Sequence, residues 1–425
     1  MLDKFKRGNT SNRDEILVKK IRSDFPILNT KVNNNNLIWF DNGATTQKPK
    51  IVIDEMKSYS EKYNANVHRS PHTLSKLSTE MFDKTRQSVK SFINAASENE
   101  IIFTKGTTEG MNLITNSFVY DLIKKHLSLT VVITEMEHHA NIVPWHILRN
   151  KMPFVLDYIN FENDGKIDLN KLEAKFISNS NIKVLSITHI SNVLGTINPI
   201  KKICELAHKY GIYVVIDGAQ GIPHFKVDVQ DLGCDFYIFS SHKMFGPTGI
   251  GVVYGKYELL KNMPVWQGGG SMIKDVQLTH SIYLDPPVKF EPGTPAITEV
   301  IGFGSCIRYL NTINWSELEE YENRLMNYTY KKLKQIPDIF ILGDTNIDRV
   351  CIFSFIIKNI DMEKLVSILD INGIATRYGH HCAQPTVRHY GLEEVLRISL
   401  TFYNTYEEID KCIDIIKINI NKLKK

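Results

Sequence analysis

Val214-Val215-Ile216-Asp217-Gly218-Ala219-Gln220 and, shortly after it, Phe236-Tyr237-Ile238-Phe239-Ser240-Ser241-His242-Lys243 each run from a continuous apolar stretch into small and polar residues. Unbroken β-branched and aromatic runs of this kind mark strands buried on both faces. The same kind of run recurs at Ile101-Ile102-Phe103, Val131-Val132-Ile133 and Val184-Leu185-Ser186-Ile187. Amphipathic segments lie between them, such as Ile200 to Tyr210, closed by Gly211 at a C-cap position. The alternation is βαβ, so the expected fold class is α/β, a mostly parallel sheet flanked by helices on both faces.

With 425 residues, 43% of them hydrophobic and 23% charged, the chain has material for more than one small domain. Near its start, Asn33 to Asn36 reads as a tight turn before Leu37-Ile38-Trp39-Phe40. Around Pro286 to Pro295 the sequence turns rich in proline and glycine, and a long helical stretch from about Thr298 leads into a second, smaller α/β region. The expected division is an N-terminal segment over 1–30 packing near the small domain, a large domain over 31–295 and a small C-terminal domain over 296–425. No fixed-period repeat is visible.

A net charge of +4 without a dense basic stripe gives no footing for nucleic acid as a partner. No apolar run approaches the roughly eighteen residues of a membrane span, and the N-terminus lacks the apolar core of a secretory signal. The expectation is a soluble protein with no membrane partner. Lys4, Lys6, Arg7, Arg13, Lys19, Lys20 and Arg22 are interrupted by Asp3, Asp14, Glu15 and Asp24, which favours a short amphipathic helix over an organelle-import segment. A cytoplasmic location is expected, with a plastid-like organelle as the alternative if a presequence has been removed. The six cysteines are widely spread and form no CxxC pair, which fits a reducing compartment. Most should be small buried hydrophobes, so any one with a special role must be justified by its neighbours.

Ligands of a parallel sheet collect at the carboxyl ends of its strands. After Phe103 comes Thr104-Lys105-Gly106-Thr107-Thr108-Glu109-Gly110, a turn opening a helix, which suits a phosphate or serves as a plain helix cap. After Ile133 comes Glu137-His138-His139-Ala140-Asn141; the histidine pair could stack on a ring or fill core, while adjacent side chains diverge too far for a two-histidine metal site. Asp217 ends a buried strand, where a carboxylate is costly without a cationic partner; a protonated pyridine nitrogen would be one. Lys243 follows the next strand and precedes the glycine turn Gly246-Pro247-Thr248-Gly249-Ile250-Gly251. A strand-end lysine backed by Ser240 and His242 and opposite an aspartate is what a pyridoxal-phosphate (PLP) Schiff base needs.

Asp217-Gly218-Ala219-Gln220 followed by Ser240-Ser241-His242-Lys243 resembles the signature of the class V, fold-type I PLP-dependent transferases, and the resemblance runs from about Phe40 to Asp410. Within that family, Arg377-Tyr378-Gly379-His380-His381-Cys382-Ala383 is similar to the short active-site loop of group II, SufS-type cysteine desulfurases. Three consecutive residues make poor tetrahedral ligands, so no metal is expected there. A thiol flanked by His381 and near Arg377 can instead be held partly as thiolate, its nucleophilic form.

The resemblance implies that Lys243, Cys382 and His138 are catalytic, with His138 stacked on the cofactor ring, Asp217 paired with its nitrogen and Gln220 on its phenolic oxygen. It implies phosphate contacts from Thr108, Ser240 and His242, and one from Thr294 to the partner subunit's phosphate in a homodimer. Arg397 would clamp the substrate carboxylate as a bidentate fork, with Asn192 and Arg377 also on the substrate side. Two segments depart from the family pattern: His68-Arg69-Ser70-Pro71-His72 where His-Arg-Gly-Ile-His is common, and Gln384-Pro385-Thr386-Val387 where Met-Pro-Leu-Met is common. The activity implied is conversion of L-cysteine to L-alanine with a persulfide left on Cys382. A sulfur-acceptor protein of the SufE or SufU kind and an iron–sulfur scaffold would be the partners. The alternatives are a selenocysteine lyase or aminotransferase on the same fold, or a non-catalytic sulfur-transfer scaffold.

Overall fold

The computed structural model describes residues 10–126, 128–343 and 348–424. Lys4, Lys6 and Arg7 of the basic N-terminal stretch, and residues 1–9 of the expected 1–30 segment, lie outside the described residues. The main sheet has seven strands: β1 (Ile101–Thr104), β2 (Thr130–Thr134), β3 (Val155–Ile159), β4 (Ile182–Thr188), β5 (Tyr213–Asp217), β6 (Phe236–Ser240) and β7 (Gly251–Gly255). Their spatial order is β1-β7-β6-β5-β4-β2-β3. Every neighbouring pair is parallel except those made by β7, which is antiparallel to both β1 and β6. The five apolar runs of the sequence are five of these strands. Val214, Val215, Ile216, Phe236 and Ile238 are fully buried, each contributing about 1.5–3 kcal/mol through burial.

Two strands were not legible as apolar runs. β3 is one of the two edge strands and leaves Val155 and Tyr158 exposed, so it needs no continuous apolar sequence. β7 begins at Gly251, part of the stretch read above as a glycine turn. A Cβ on Gly251 would meet Gly106 Cα at 2.5 Å, so glycine lets the β7 backbone pass close to the turn that follows β1.

The parallel register aligns the strand ends. Thr188 lies opposite Asp217, Asp217 opposite Ile238, and Gly251 opposite both Ser240 and Thr104. The loops that carry the polar residues therefore leave the sheet at one edge. A second, antiparallel sheet of β8 (Ile339–Ile341), β9 (Ile352–Ile357), β10 (Arg377–Gly379) and β11 (Val395–Ser399), in the order β8-β9-β11-β10, delivers Arg377 and Arg397 toward that edge. The helix Ile297–Leu310 follows the proline- and glycine-rich stretch and packs on helices Lys50–Lys62 and Thr73–Phe92, with Gly302 against Met56 and Gly304 against Thr85.

The turn expected at Asn33 to Asn36 is a short hairpin: Lys31–Val32 pairs with Asn35–Asn36 across Asn33 and Asn34, whose φ values of 51° and 63° asparagine tolerates. The helix Ile200–Lys209 ends as expected, with Gly211 at φ 67° and the Ile212 N–H on the Ala207 carbonyl. At the N-terminal end, helix Thr10–Arg22 buries Val18 and Ile21 and exposes Lys19 and Lys20. It docks through Arg22 on Glu408 (2.9 Å) and Asp14 on Arg324 (2.7 Å).

Candidate active site

At the carboxyl edge of the main sheet lies a cleft. The main-sheet loops supply His138, Asp217, Ser240, His242 and Lys243, with Thr108 from the helix after β1. Arg377 and Arg397 face them from the second sheet, Cys382 from the turn after β10, and Asn192 from the loop after β4. Ten sequence-predicted residues far apart in the chain thus share one cleft.

Two predicted residues stand elsewhere. Gln220 is buried but does not line the cleft; its side-chain amide donates to the Gly43 carbonyl at 2.6 Å. Thr294 is exposed and also lies off the cleft wall of this chain.

Lys243 closes a single tight helical turn, Ser241–Lys243, directly after β6. Burial lowers its pKa, opposed by Asp217, so the amine is held closer to its neutral, nucleophilic form than a surface lysine. Asp217 is 3% exposed and accepts the Ala219 N–H at 3.0 Å. Burial raises its pKa against the pull of Lys243, and among the described residues no ion pair reaches it. Such a carboxylate calls for a cation in the cleft. His138 Nδ1 accepts the Ala140 N–H at 3.0 Å, and burial, then Lys243, pushes its pKa down to about 3, which keeps the ring neutral.

The polar end of the cleft is the start of helix Thr107–Ile114. The Thr107 N–H donates to Ser240 Oγ at 2.8 Å and the two hydroxyls lie 2.7 Å apart. His242 shares a 3.2 Å hydrogen bond with Thr45 Oγ1, and burial, then Lys243, pushes its pKa down to about 4. A buried amine, an uncompensated carboxylate opposite it, a neutral imidazole and hydroxyls at a helix N-terminus are the donor set that pyridoxal phosphate requires, and the residues fit that group.

Arg397 is 2% exposed and hydrogen-bonds Asp41 Oδ1 at 2.9 Å and the Asn192 carbonyl at 3.0 Å, while Arg377 lies 3.6 Å from the other Asp41 oxygen. A Cβ on Gly43 would sit 3.1 Å from the Arg397 guanidinium carbon, so glycine lets the fork lie flat over the backbone. Asp41, Gly43 and Thr107 were not singled out from the sequence. Asp41 follows the apolar Trp39-Phe40 pair and Thr107 adjoins the chosen Thr108, so reading every strand end alike would have found both.

Of the six cysteines, Cys382 is the one that is not buried. Burial pushes the thiols of Cys204 and Cys412 up to about 12, leaving them inert. The expected electrostatic help from His381 is corrected by the structure. Its Nε2 lies 3.1 Å from the Val395 carbonyl, and burial, then Arg397, pushes its pKa down to about 2, so the His381 ring stays neutral. Lys243, Arg377 and Arg397 line the same cleft as Cys382.

The sequence profile of the aminotransferase class-V family matches residues 38–412. The chain belongs to the aminotransferase class-V family. Members of that family are PLP-dependent, in keeping with the cleft. Among class-V relatives, the probable cysteine desulfurase 1 of Mycobacterium leprae is 43% identical over 94% of this chain. The chain spans 65% of that relative's length. A cysteine desulfurase of Wigglesworthia glossinidia brevipalpis is 45% identical over 93% of this chain and 96% of its own. In structure, the class-V fold here is similar to the apo cysteine desulfurase of Thermococcus onnurineus, with a TM-score of 0.89 at 33% identity over 95% of this chain and 98% of that one.

Proposed function

We propose that this protein is a PLP-dependent cysteine desulfurase of the SufS type, which moves sulfur from L-cysteine onto Cys382 and leaves L-alanine. The observation that carries the reading is the one accessible thiol, set in the same cleft as a buried lysine and a buried arginine fork. The desulfurase names of the relatives support it.

Arg397, oriented by Asp41 and the Asn192 carbonyl, holds the substrate carboxylate, with Arg377 beside it. When bound, the cofactor supplies an electron-withdrawing pyridinium that makes the substrate Cα–H acidic and accepts the electron pair released there. Asp217 would keep the ring nitrogen protonated, and His138 would pack against the ring. Lys243 would hold the cofactor through its amine and, as a free amine, would be the base that takes the substrate Cα proton. Cys382 thiolate attacks the substrate sulfur; the S–S bond forms as the substrate C–S bond breaks, the carbon keeps the pair and takes up a proton, and alanine leaves. Thr108, Ser240 and His242 would hold the phosphate.

A persulfide is useful when another thiol collects it, so the same reading takes a SufE- or SufU-like acceptor and an iron–sulfur scaffold as partners. It assigns the protein to the cytoplasm, as a homodimer in which Thr294 reaches the partner subunit's phosphate. It takes 31–295 as the cofactor-binding domain and 296–425 as the domain carrying the Cys382 loop, with 1–30 docked near the latter. The test is alanine and protein-bound persulfide formed from L-cysteine by wild type, Cys382→Ala and Lys243→Ala. Wild type is expected to make both and each variant to make neither. Full activity of Cys382→Ala on cysteine would replace this reading by a lyase or aminotransferase.

A further inference from the structure

The backbone that presents the thiol is held in an unusual conformation. His381 and Cys382 both lie in the left-handed region, at φ 52° and 54°, where the Cβ of a non-glycine residue crowds its own carbonyl. Two such residues in succession persist when surrounding bonds impose the turn. Within the turn, the Ala383 N–H meets the His380 carbonyl at 2.9 Å and the Cys382 N–H meets His380 Nδ1 at 3.0 Å. From outside, the His139 N–H holds the Cys382 carbonyl at 2.7 Å, and the Asn192 side-chain amide holds the His381 carbonyl at 2.8 Å.

Asn192 makes that bond from a rigid base. Its loop is folded on Ser191, whose hydroxyl accepts the Val193 and Leu194 N–H groups at 3.3 and 3.1 Å and whose carbonyl accepts the Gly195 N–H at 2.9 Å. Gly195 packs against β9, where a Cβ would come within 2.9 Å of the Ile352 and Val350 carbonyls. The Asn192 carbonyl is the one that Arg397 binds at 3.0 Å. One residue therefore touches the carboxylate fork through its backbone and the thiol turn through its side chain.

We propose that Asn192 is a positioning residue for the sulfur nucleophile: its amide imposes the left-handed His381–Cys382 turn from the loop that also fixes Arg397, so the thiol and the substrate carboxylate are held in mutual register. This replaces the direct substrate contact expected from the sequence. It rests on the reading of Cys382 as the nucleophile.

The test follows alkylation of Cys382 by iodoacetamide in the holoprotein, located by peptide mass, with the five buried cysteines as internal controls. Asn192→Ala and the near-isosteric Asn192→Leu both lack the donor, so either one serves if the other fails to fold. Each is expected to alkylate at least about threefold faster than wild type, because a turn released from the left-handed region samples more open positions. On L-cysteine, kcat is expected to fall roughly tenfold through lost alignment while KM stays within about threefold, since Arg397 remains. An unchanged alkylation rate, or a KM raised roughly tenfold with kcat kept, overturns the proposal and makes Asn192 a substrate contact. The alkylation arm uses no substrate, so it decides the role of Asn192 even if wild type makes no alanine and the desulfurase reading fails.

Discussion

Glu137, one residue before the cleft-lining His138, is fully buried and accepts hydrogen bonds from Thr134 Oγ1 (2.5 Å), Asn141 Nδ2 (2.6 Å) and the Thr188 N–H (3.0 Å). Asn141 in turn takes the Trp145 indole N–H at 3.1 Å and the Ser186 hydroxyl at 2.6 Å. These bonds fix the loop that aims His138. Burial outweighs them and pushes the Glu137 pKa from 4.5 up to about 8. The folded value lies above the unfolded one, so the stabilisation tied to this proton is fully present below about 4.5 and is lost as pH rises through about 8. Urea unfolding of wild type and Glu137→Gln at acid and at mildly alkaline pH is expected to show wild type losing more stability than the variant as pH rises. Equal losses would mean that Glu137 is ionised throughout. The sequence made His138 and Cys382 legible because motif and strand end coincide there. It could not show where an imidazole points: His381 sits beside the thiol in the chain, yet its ring is directed to Val395.

At the scale of elements, helix Thr107–Ile114 is pressed onto the sheet so that its first turn can meet Ser240. Gly110 permits the approach: a Cβ there would stand 2.6 Å from Ile238 Cγ2 and 2.7 Å from Val253 Cγ2, both fully buried. Gly110→Ala is expected to cost about 1–3 kcal/mol, as overpacking of a tight core does. Guanidinium unfolding with an unchanged slope would measure it, and a loss below about 0.5 kcal/mol would show that the helix can shift freely. The β-rich runs were readable because β4, β5 and β6 are buried on both faces. β3 was not, since its Val155 and Tyr158 face solvent, and β7 was not, since its glycines serve close approach while also reading as a turn.

At the scale of the whole molecule, the helix Thr10–Arg22 is tied to the far end of the chain. Arg22 donates to the Tyr403 carbonyl at 2.6 Å and pairs with Glu408, which is 8% exposed and whose pKa burial raises. Arg22→Ala removes a cation from a buried carboxylate and is expected to destabilise by about 2–3 kcal/mol, less than a fully buried pair because Arg22 is partly exposed. Thermal unfolding would check it, and an unchanged midpoint would show that Asp14 and the apolar face suffice for docking. The sequence by itself determined the α/β class and singled out Lys243, Asp217 and Cys382, which the structure brings into one cleft, because strand patterning and strand-end side chains are local properties. Only the tertiary structure decided that Asp41 braces Arg397, that Asn192 grips the thiol turn, and that Gln220 is turned to Gly43. Those are hydrogen bonds between segments distant in the chain, and their geometry exists only once the two sheets have been packed against each other.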